Sequence, residues 1–288
     1  MLIFIGASGL GNQLFQYGFL KKKQKNKEKI IALGFEELLS ITNINDVVGF
    51  KSAIFKNYKF KYALITLLRF LAFFRIISIT KPIYDKELEH YKCESTEFTT
   101  KKGLFNITFV VEGYYQSETF LDRGAVEKIK IKEEYVAKAK NILASYSHKN
   151  MVFVHIRRGD YLNFNIMGKS ALLPKSYYEK SISEILNKNE DCFFIFLSND
   201  ASYVKDEFSH IKNKYISETG CMGVDLALMS LCNNGILSAS SYSWWGSFLM
   251  SEKNSILSPK YWLGFNSKRY FHQNSVPSYS NEIEVVSE

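Results

Sequence analysis

Residues 151–162 read Met-Val-Phe-Val-His-Ile-Arg-Arg-Gly-Asp-Tyr-Leu. The apolar run Met151 to Val154 has the composition of a buried strand, and two arginines beside a glycine follow where that strand would end. Open α/β sheets receive ligands at the carboxyl ends of their strands. A guanidinium is planar, stays charged at any physiological pH and offers paired donors matched to phosphate oxygens. Arg157 and Arg158 therefore suit a diphosphate better than lysines would. The same residues also fit a surface ion pair with Asp160, worth only ~0–1 kcal/mol.

Downstream, strand and helix patterns alternate. Strands are expected at 151–156, 192–197, near 214–216, at 235–239 and at 254–257, and helices near 176–187, 201–208, 223–232 and 243–252. Such alternation implies a parallel sheet, with His155–Asp160, Ser198–Asp200 and Ser240–Ser243 at strand carboxyl ends. The run Ser240-Ser241-Tyr242-Ser243-Trp244-Trp245-Gly246 opens a helix. Serine hydroxyls and free amides there form a second anion seat. The plainer alternative is an N-cap followed by two core tryptophans.

At the amino terminus, Met1 to Ile5 reads as a buried strand. Gly6 to Gln13 forms a glycine-rich turn before an apolar, helix-like stretch from Leu14 to Leu20. The turn lets backbone amides approach a ligand closely. It is not a dinucleotide fingerprint: Gly6-x-x-Gly9 meets Asn12 where a third glycine belongs, and the Gly9-x-Gly11 frame meets Leu14. What remains presents Asn12 and Gln13, two amides that donate and accept. Further along come a polar, irregular stretch around 85–103, a strand over Phe105 to Val111, helical character from Glu127 to Lys140, and a linker at 145–150 that divides the chain at 148/149.

Five segments, GLGNQLFQY at 9–17, GYYQSETF at 113–120, HIRRGDY at 155–161, FLSND at 196–200 and DLALMSLC…SASSYSWWG at 225–246, resemble in order the motifs of bacterial α-1,2-fucosyltransferases of glycosyltransferase family 11. The resemblance covers nearly the whole chain. It implies a GT-B-like α/β fold of two Rossmann-like domains facing a cleft, with 1–148 on the acceptor side and 149–288 binding GDP-fucose. It also implies inverting transfer of L-fucose from GDP-β-L-fucose to the 2-hydroxyl of a terminal β-galactose in a surface glycan of the O-antigen or lipopolysaccharide type. The acceptor would be a galactose-terminated or lipid-linked glycan.

By the same resemblance, Arg157 is catalytic and, with Arg158, offsets charge growing on the departing β-phosphate, while Ser241 and Ser243 add hydrogen bonds. His155 and Asp225 contact the nucleotide, Asp160 braces an arginine of the pair, and Asn199 and Asp200 touch donor or shape their turn. Asn12 positions the reacting groups, although an amide is no base, and Gln13, Tyr115 and Gln116 lie toward the acceptor. No cofactor or metal is expected, because the chain contains no Asp-x-Asp.

Composition is compatible with this. The 288 residues, 46% hydrophobic and 15% aromatic, make a folded globule that buries roughly three quarters of its unfolded surface. Cys93, Cys192, Cys221 and Cys232 show no Cys-x-x-Cys spacing and read as buried reduced thiols. The apolar start is too short for a secretory leader, so a cytoplasmic enzyme is expected and Asn106-Ile-Thr is an inert sequon. Residues 1–150 carry 24 Lys/Arg against 15 Asp/Glu, a net +9, and 151–288 carry 13 against 14, a net −1.

The lysine run at 21–29 reads as a solvated helix end whose cations oppose the helix dipole, or else as a contact for an anionic membrane surface. No aromatic residues interleave with it, which argues against nucleic acid. Tyr62 to Ile79 is almost wholly apolar apart from Arg69 and Arg75, each costing ~2.5–3.5 kcal/mol at a bilayer centre. It reads foremost as a buried or interdomain helix, next as a membrane-surface helix, and last as a span. Two rival classes stand beside the transferase. One is an NAD-dependent nucleotide-sugar epimerase or reductase using Gly6-Ala-Ser-Gly9, which would also want a suitably framed Tyr-x-x-x-Lys pair, whereas Tyr58 is followed four later by Tyr62 and Tyr84 by Leu88; the other is a non-catalytic glycan- or nucleotide-binding module.

Overall fold

A computed structural model describes residues 1–6, 8–26, 28–49, 57–87, 93–146 and 149–286. Ala7 of the glycine turn, Lys27 of the lysine run, residues 88–92 of the expected irregular stretch and residues 147–148 of the expected linker lie outside them. By internal contacts the chain forms two units, Met1–Lys130 with His272–Asn274, and Ile131–Phe271 with Ser275–Glu288.

The first unit contains β1 (Leu2–Ile5), α1 (Leu10–Lys23), β2 (Ile30–Leu33), α2 (Glu36–Ile41), β3 (Val47–Gly49), α3 (Tyr58–Phe73), β4 (Ser78–Tyr84), β5 (Glu94–Lys101), β6 (Thr108–Val110) and α4 (Arg123–Val126). Its sheet has the order β3-β2-β1-β6-β4-β5 and is parallel except for the β4–β5 pair. Ile5 and Phe109 of β1 and β6 pack with Leu68 and Ala72 of α3.

The second unit contains α5 (Glu133–Leu143), β7 (Asn150–Ile156), the short hairpin β8 (Asn165–Ile166) and β9 (Lys169–Ser170), α6 (Lys175–Lys188), β10 (Cys192–Ser198), α7 (Ala201–Glu207), β11 (Lys214–Ile216), α8 (Met222–Ser230), β12 (Asn234–Ile236), α9 (Ser241–Phe248), β13 (Ser255–Pro259) and β14 (Asn281–Ile283). Its six-stranded sheet, β11-β10-β7-β12-β13-β14, is parallel throughout. Alternate residues Val152, Val154 and Ile156 of β7 join Phe194 and Phe196 of β10 and Tyr178 and Ile182 of α6 in one core. Phe196 is fully buried, so Phe196→Ala would cost about 3–5 kcal/mol.

In both sheets the winding changes direction beside the first strand. Strands β2 and β3 follow β1 to one side while β6 lies on the other. Likewise β10 and β11 lie on one side of β7 and β12 on the other. The β1/β6 and β7/β12 junctions are therefore topological switch points, where loops diverge and leave a crevice at the carboxyl edge.

By contacts α5 groups with the second unit, where it packs on α8: a Cβ at Gly223 would lie 2.6 Å from the Tyr135 ring. Two expectations are revised. The 62–79 segment is a helix only to Phe73, and strand begins at Ser78. That helix is not buried, since within α3 only Leu68 and Ala72 are. Among the described residues no helix is long and apolar enough to cross a membrane. Finally, β5 runs through the stretch expected to be irregular. Its Thr-rich, half-exposed sequence suits an edge strand, which needs only one packed face.

Candidate active site

The end of β7 is held rigidly. Arg158 donates its backbone N–H to Asn199 Oδ1 at 2.9 Å and its Nε to Asp200 Oδ2 at 3.0 Å, and its guanidinium lies 3.6 Å from the Tyr203 ring centroid. Arg157 donates Nε to Asp160 Oδ1 at 2.8 Å and lies over the Tyr161 ring. Each arginine is thus fixed through Nε and an aromatic ring, and its terminal amines have no hydrogen-bond partner among the described residues. A Cβ at Gly159 would stand 2.1 Å from Asn199 Nδ2, so a side chain there would displace the amide that holds Arg158 N. Asp200 caps α7 by accepting from Tyr203 N, and that bond together with Arg158 holds its carboxyl below the usual range.

Across the β7/β12 junction, His155 is buried and shares a 2.7 Å hydrogen bond through Nδ1 with Ser238 Oγ. Burial, aided by the Arg157 charge, pushes its pKa down to about 3, so the ring is neutral. Ser240 caps α9 by accepting from Tyr242 N. Ser243 is fully buried, and its hydroxyl donates to the Ser238 and Ser240 carbonyls at 3.0 Å. It braces the turn and does not present a hydroxyl outward, whereas Ser241, half-buried at the first helical position, stands at the surface. Trp244 and Trp245 are core residues. Asp225 accepts from Ser217 Oγ at 2.5 Å and Thr219 Oγ1 at 2.8 Å just past β11, with burial pushing its carboxyl upward.

In the first unit, α1 starts at Leu10 with Gly9 as an N-cap that supplies no side-chain bond. Gly34, at φ +91, lets the β2 exit pass against this loop; a Cβ there would stand 2.1 Å from the Gly6 carbonyl oxygen. Asn12 Oδ1 accepts from Gln116 Nε2 at 2.7 Å, so two residues from distant motifs meet at the β1/β6 junction. Gln13 is buried, donating to the Ser8 carbonyl at 2.7 Å and accepting from Leu38 N at 2.9 Å. Its amide joins the loop to α2.

Tyr115 is also a correction. At φ +52 its ring turns inward, stacks on Phe19 at 3.9 Å between centroids and donates its hydroxyl to the Val111 carbonyl, so it is core and does not face an acceptor.

Several positioning residues were not legible beforehand. Gln16 is buried and donates to the Gly113 carbonyl at 2.9 Å. Glu94, buried in β5, accepts from the backbone N–H groups of Tyr114 and Tyr115, and burial pushes its carboxyl up to about 7. Glu37 reaches the start of α1, where burial pushes its pKa up and the Leu10 backbone N–H acts on its carboxylate. An amide inside an apolar helical stripe could have flagged Gln16; nothing in a polar edge strand singles out Glu94. Tyr17 and Lys21 do form a Tyr-x-x-x-Lys pair, but both engage Asp46, at 3.2 and 2.7 Å, as a structural cluster.

Among the described residues, no three His, Cys, Asp or Glu side chains are grouped as metal ligands. All four cysteines are free thiols, Cys221 half-buried and the other three buried.

The chain is similar to two Escherichia coli proteins. It is 28% identical to the O-antigen biosynthesis glycosyltransferase WbnK, over 91% of this chain and 95% of that one, and 27% identical to an alpha-1,2-colitosyltransferase, over 84% and 85%. Its fold matches that of a mutant of Arabidopsis thaliana FUT1 in complex with GDP, with a TM-score of 0.52 at 13% identity, over 88% of this chain and 69% of that one. The likeness identifies the two units as a GT-B-like α/β fold. The model of glycosyl transferase family 11 matches residues 1–275, and the chain belongs to that family of glycosyltransferases.

Proposed function

We propose that this enzyme transfers L-fucose from GDP-β-L-fucose to the 2-hydroxyl of a terminal β-galactose in a surface glycan of the O-antigen type. The observation that carries the reading is the Arg157–Arg158 pair at the end of the central strand, each guanidinium immobilised through Nε with its terminal amines left without a hydrogen-bond partner among the described residues. In the reaction, galactose O2 forms a bond to the anomeric carbon as the bond to the β-phosphate oxygen breaks. The electron pair leaves with GDP, the proton of O2 passes to solvent, and attack from the opposite face inverts β to α. Charge grows on the β-phosphate, and a fixed donor aimed at developing charge is worth about 3–4 kcal/mol.

Arg157 takes the leading part, with Arg158 and Ser241 binding the same diphosphate. Asp160, Asn199, Asp200 and Ser243 hold these groups in place. His155 and Asp225 line the nucleotide side. On the acceptor side, Asn12 and Gln116 orient the hydroxyl, with Gln13 fixing their loop. No metal is needed for the leaving group. The setting we propose is the cytoplasm, against the anionic face of the inner membrane where lipid-linked glycans are built.

The test is to mix the purified chain with GDP-fucose and a panel of galactose-terminated glycans, then read the product by mass and linkage. A fucose joined to O2 of galactose is the expected result; hydrolysis alone, or transfer to another position, refutes it. The likeness to an alpha-1,2-colitosyltransferase supports one alternative donor sugar, colitose, and competition between the two donors decides between them.

A further inference from the structure

We propose that the outward face of α3, with the adjacent turn at Leu104–Phe105, is a docking surface for an anionic lipid bilayer. The helix has two apolar faces. Leu64, Ile65, Leu68 and Ala72, at helical spacing, pack on the sheet and account for the fold. The other face is left in water: Phe73 is 80% exposed, and Phe70 and Phe74 are more than half exposed. These three rings pack on one another, Phe74 lying 4.8 Å from Phe70 and 5.2 Å from Phe73 between centroids.

Leu104, 83% exposed, and Phe105 extend this patch, because their backbone N–H groups bond to the carbonyls of Arg75 and Ile76 just past the helix. Clustered exposed rings of this kind mark an interaction surface and do not arise as scattered surface residues.

Charge identifies the occupant. Between Asn57 and Tyr84 the sequence carries five Lys or Arg and no Asp or Glu, and Lys101 and Lys102 precede the turn. Glu28, which reaches this end through Met1, is paired with the N-terminal ammonium at 2.9 Å. Aromatic rings rimmed by cations suit an interface of acyl chains and anionic headgroups. A second copy docked through this same face would bring its cations against their like. The lysine run at 21–23 is not the surface in question: Lys21 pairs with Asp46, Lys22 donates to the Thr119 carbonyl, and Lys23 lies over the Phe98 ring.

The helix also touches the acceptor loop. Lys61, in its first turns, donates to the Gly6 carbonyl at 2.9 Å. A bilayer lying along α3, about 24 Å long by its rise per residue, would therefore run up to the loop that carries Asn12. A lipid-linked acceptor would be presented there; this last step rests on the transferase reading, and the docking itself does not.

Co-sedimentation of the full chain with phosphatidylcholine vesicles, with and without phosphatidylglycerol, tests the docking without requiring turnover. Binding to the anionic vesicles, weakening as salt rises, is expected. Arg69→Gln and Arg75→Gln should each lower it about fivefold at low salt. Phe73→Ser with Phe74→Ser should lower it about tenfold or more at any salt. Replacing Lys21, Lys22 and Lys23 by glutamine should change it little.

Equal sedimentation with neutral and anionic vesicles at low salt, or indifference to the paired Phe changes, overturns the proposal. So does self-association through Phe73 and Phe74 in sedimentation velocity without vesicle binding. All variants should melt normally and keep full turnover on a short soluble galactoside; loss of turnover in the Phe variant would place the face in transfer and also overturn it. Vesicle binding by a chain that transfers no fucose supports docking and refutes the transferase reading alone.

Discussion

The two units are wound alike and equipped differently. At the β1/β6 junction the groups are amides: Asn12 on Gln116, Gln13 spanning Ser8 and Leu38, Gln16 on Gly113. At the β7/β12 junction they are guanidiniums braced by carboxylates, beside a neutral histidine. The halves carry the opposite balance overall, +9 for residues 1–150 and −1 for 151–288. The cationic site thus stands in the half without excess cations, and the first half spends its excess on helix ends and on α3. A half's net charge reports how it meets large surfaces, and the residues at the switch point report what it binds.

The sharpest way to break this contrast is Arg157. Arg157→Ala should lower turnover with GDP-fucose by about a hundredfold to a thousandfold, the scale of losing one pre-aimed donor. Arg157→Lys should recover little, because the Asp160 bond and the paired donors are lost together. Substantial turnover by the lysine variant would reduce the guanidinium to a point charge and remove the distinction between the junctions.

Asn12 probes the other side. Asn12→Ala should slow transfer by up to about a hundredfold through misplacement of the acceptor hydroxyl, while GDP binding measured by calorimetry stays within about twofold. Gln116→Ala should follow in the same direction, since its amide holds Asn12. If GDP affinity fell in step with turnover, the amide junction would belong to the nucleotide and the division of labour would fail.

A smaller effect separates the units by pH. Glu94 titrates near 7 in the fold against an ordinary 4.5, so the folded state holds its proton more tightly. Its contribution to stability is present below pH 4.5 and is lost as pH rises through 7, about 3 kcal/mol at most. His155, pushed down to about 3 from 6.5, has the reverse sign: its neutral ring favours folding above 6.5, and that contribution is lost as pH falls. Glu94→Gln should be destabilised overall, since an amide cannot accept both backbone bonds, yet its melting point should gain with rising pH relative to the parent. Parallel melting curves for the two proteins between pH 4.5 and 7 would mean that Glu94 titrates normally.

The second unit was largely legible in the sequence, and of the first only β1, α1 and β6 were. Every strand of the second sheet except β14 was expected, because buried parallel strands are short apolar runs between amphipathic helices. In the first unit the strands are short, β4 is interrupted by Pro82, β5 is polar, and α3 is apolar on both faces, so no single period dominates.

At the two junctions, motif position anticipated that Arg157 and Arg158 stand at a strand end and that Asn12 and Gln116 come from loops that meet. It could not say which side chains point inward. Tyr115 is turned into the core by a left-handed backbone, Ser243 and Gln13 are buried by their own hydrogen bonds, and Glu94 reaches its loop only through sheet pairing.

The smallest expected effect is the response to metal. The leaving diphosphate needs compensating positive charge, and on the proposed reading it comes from the two arginines, each held through Nε by a carboxylate. A divalent ion at the same oxygens would compete with those guanidiniums, and the chain has no Asp-x-Asp to hold one. Transfer should therefore continue within about twofold in excess EDTA, since with both guanidiniums in place no large electrostatic term is left for an ion to supply. Added Mg²⁺ or Mn²⁺ should change it as little. The informative version repeats the titration in Arg158→Ala, where the diphosphate has lost one cation and added Mg²⁺ should restore a measurable fraction of the rate. If the parent enzyme stops in EDTA and recovers with a divalent ion, the guanidinium pair only binds the nucleotide, and the chemical contrast between the two junctions has to be redrawn around a metal.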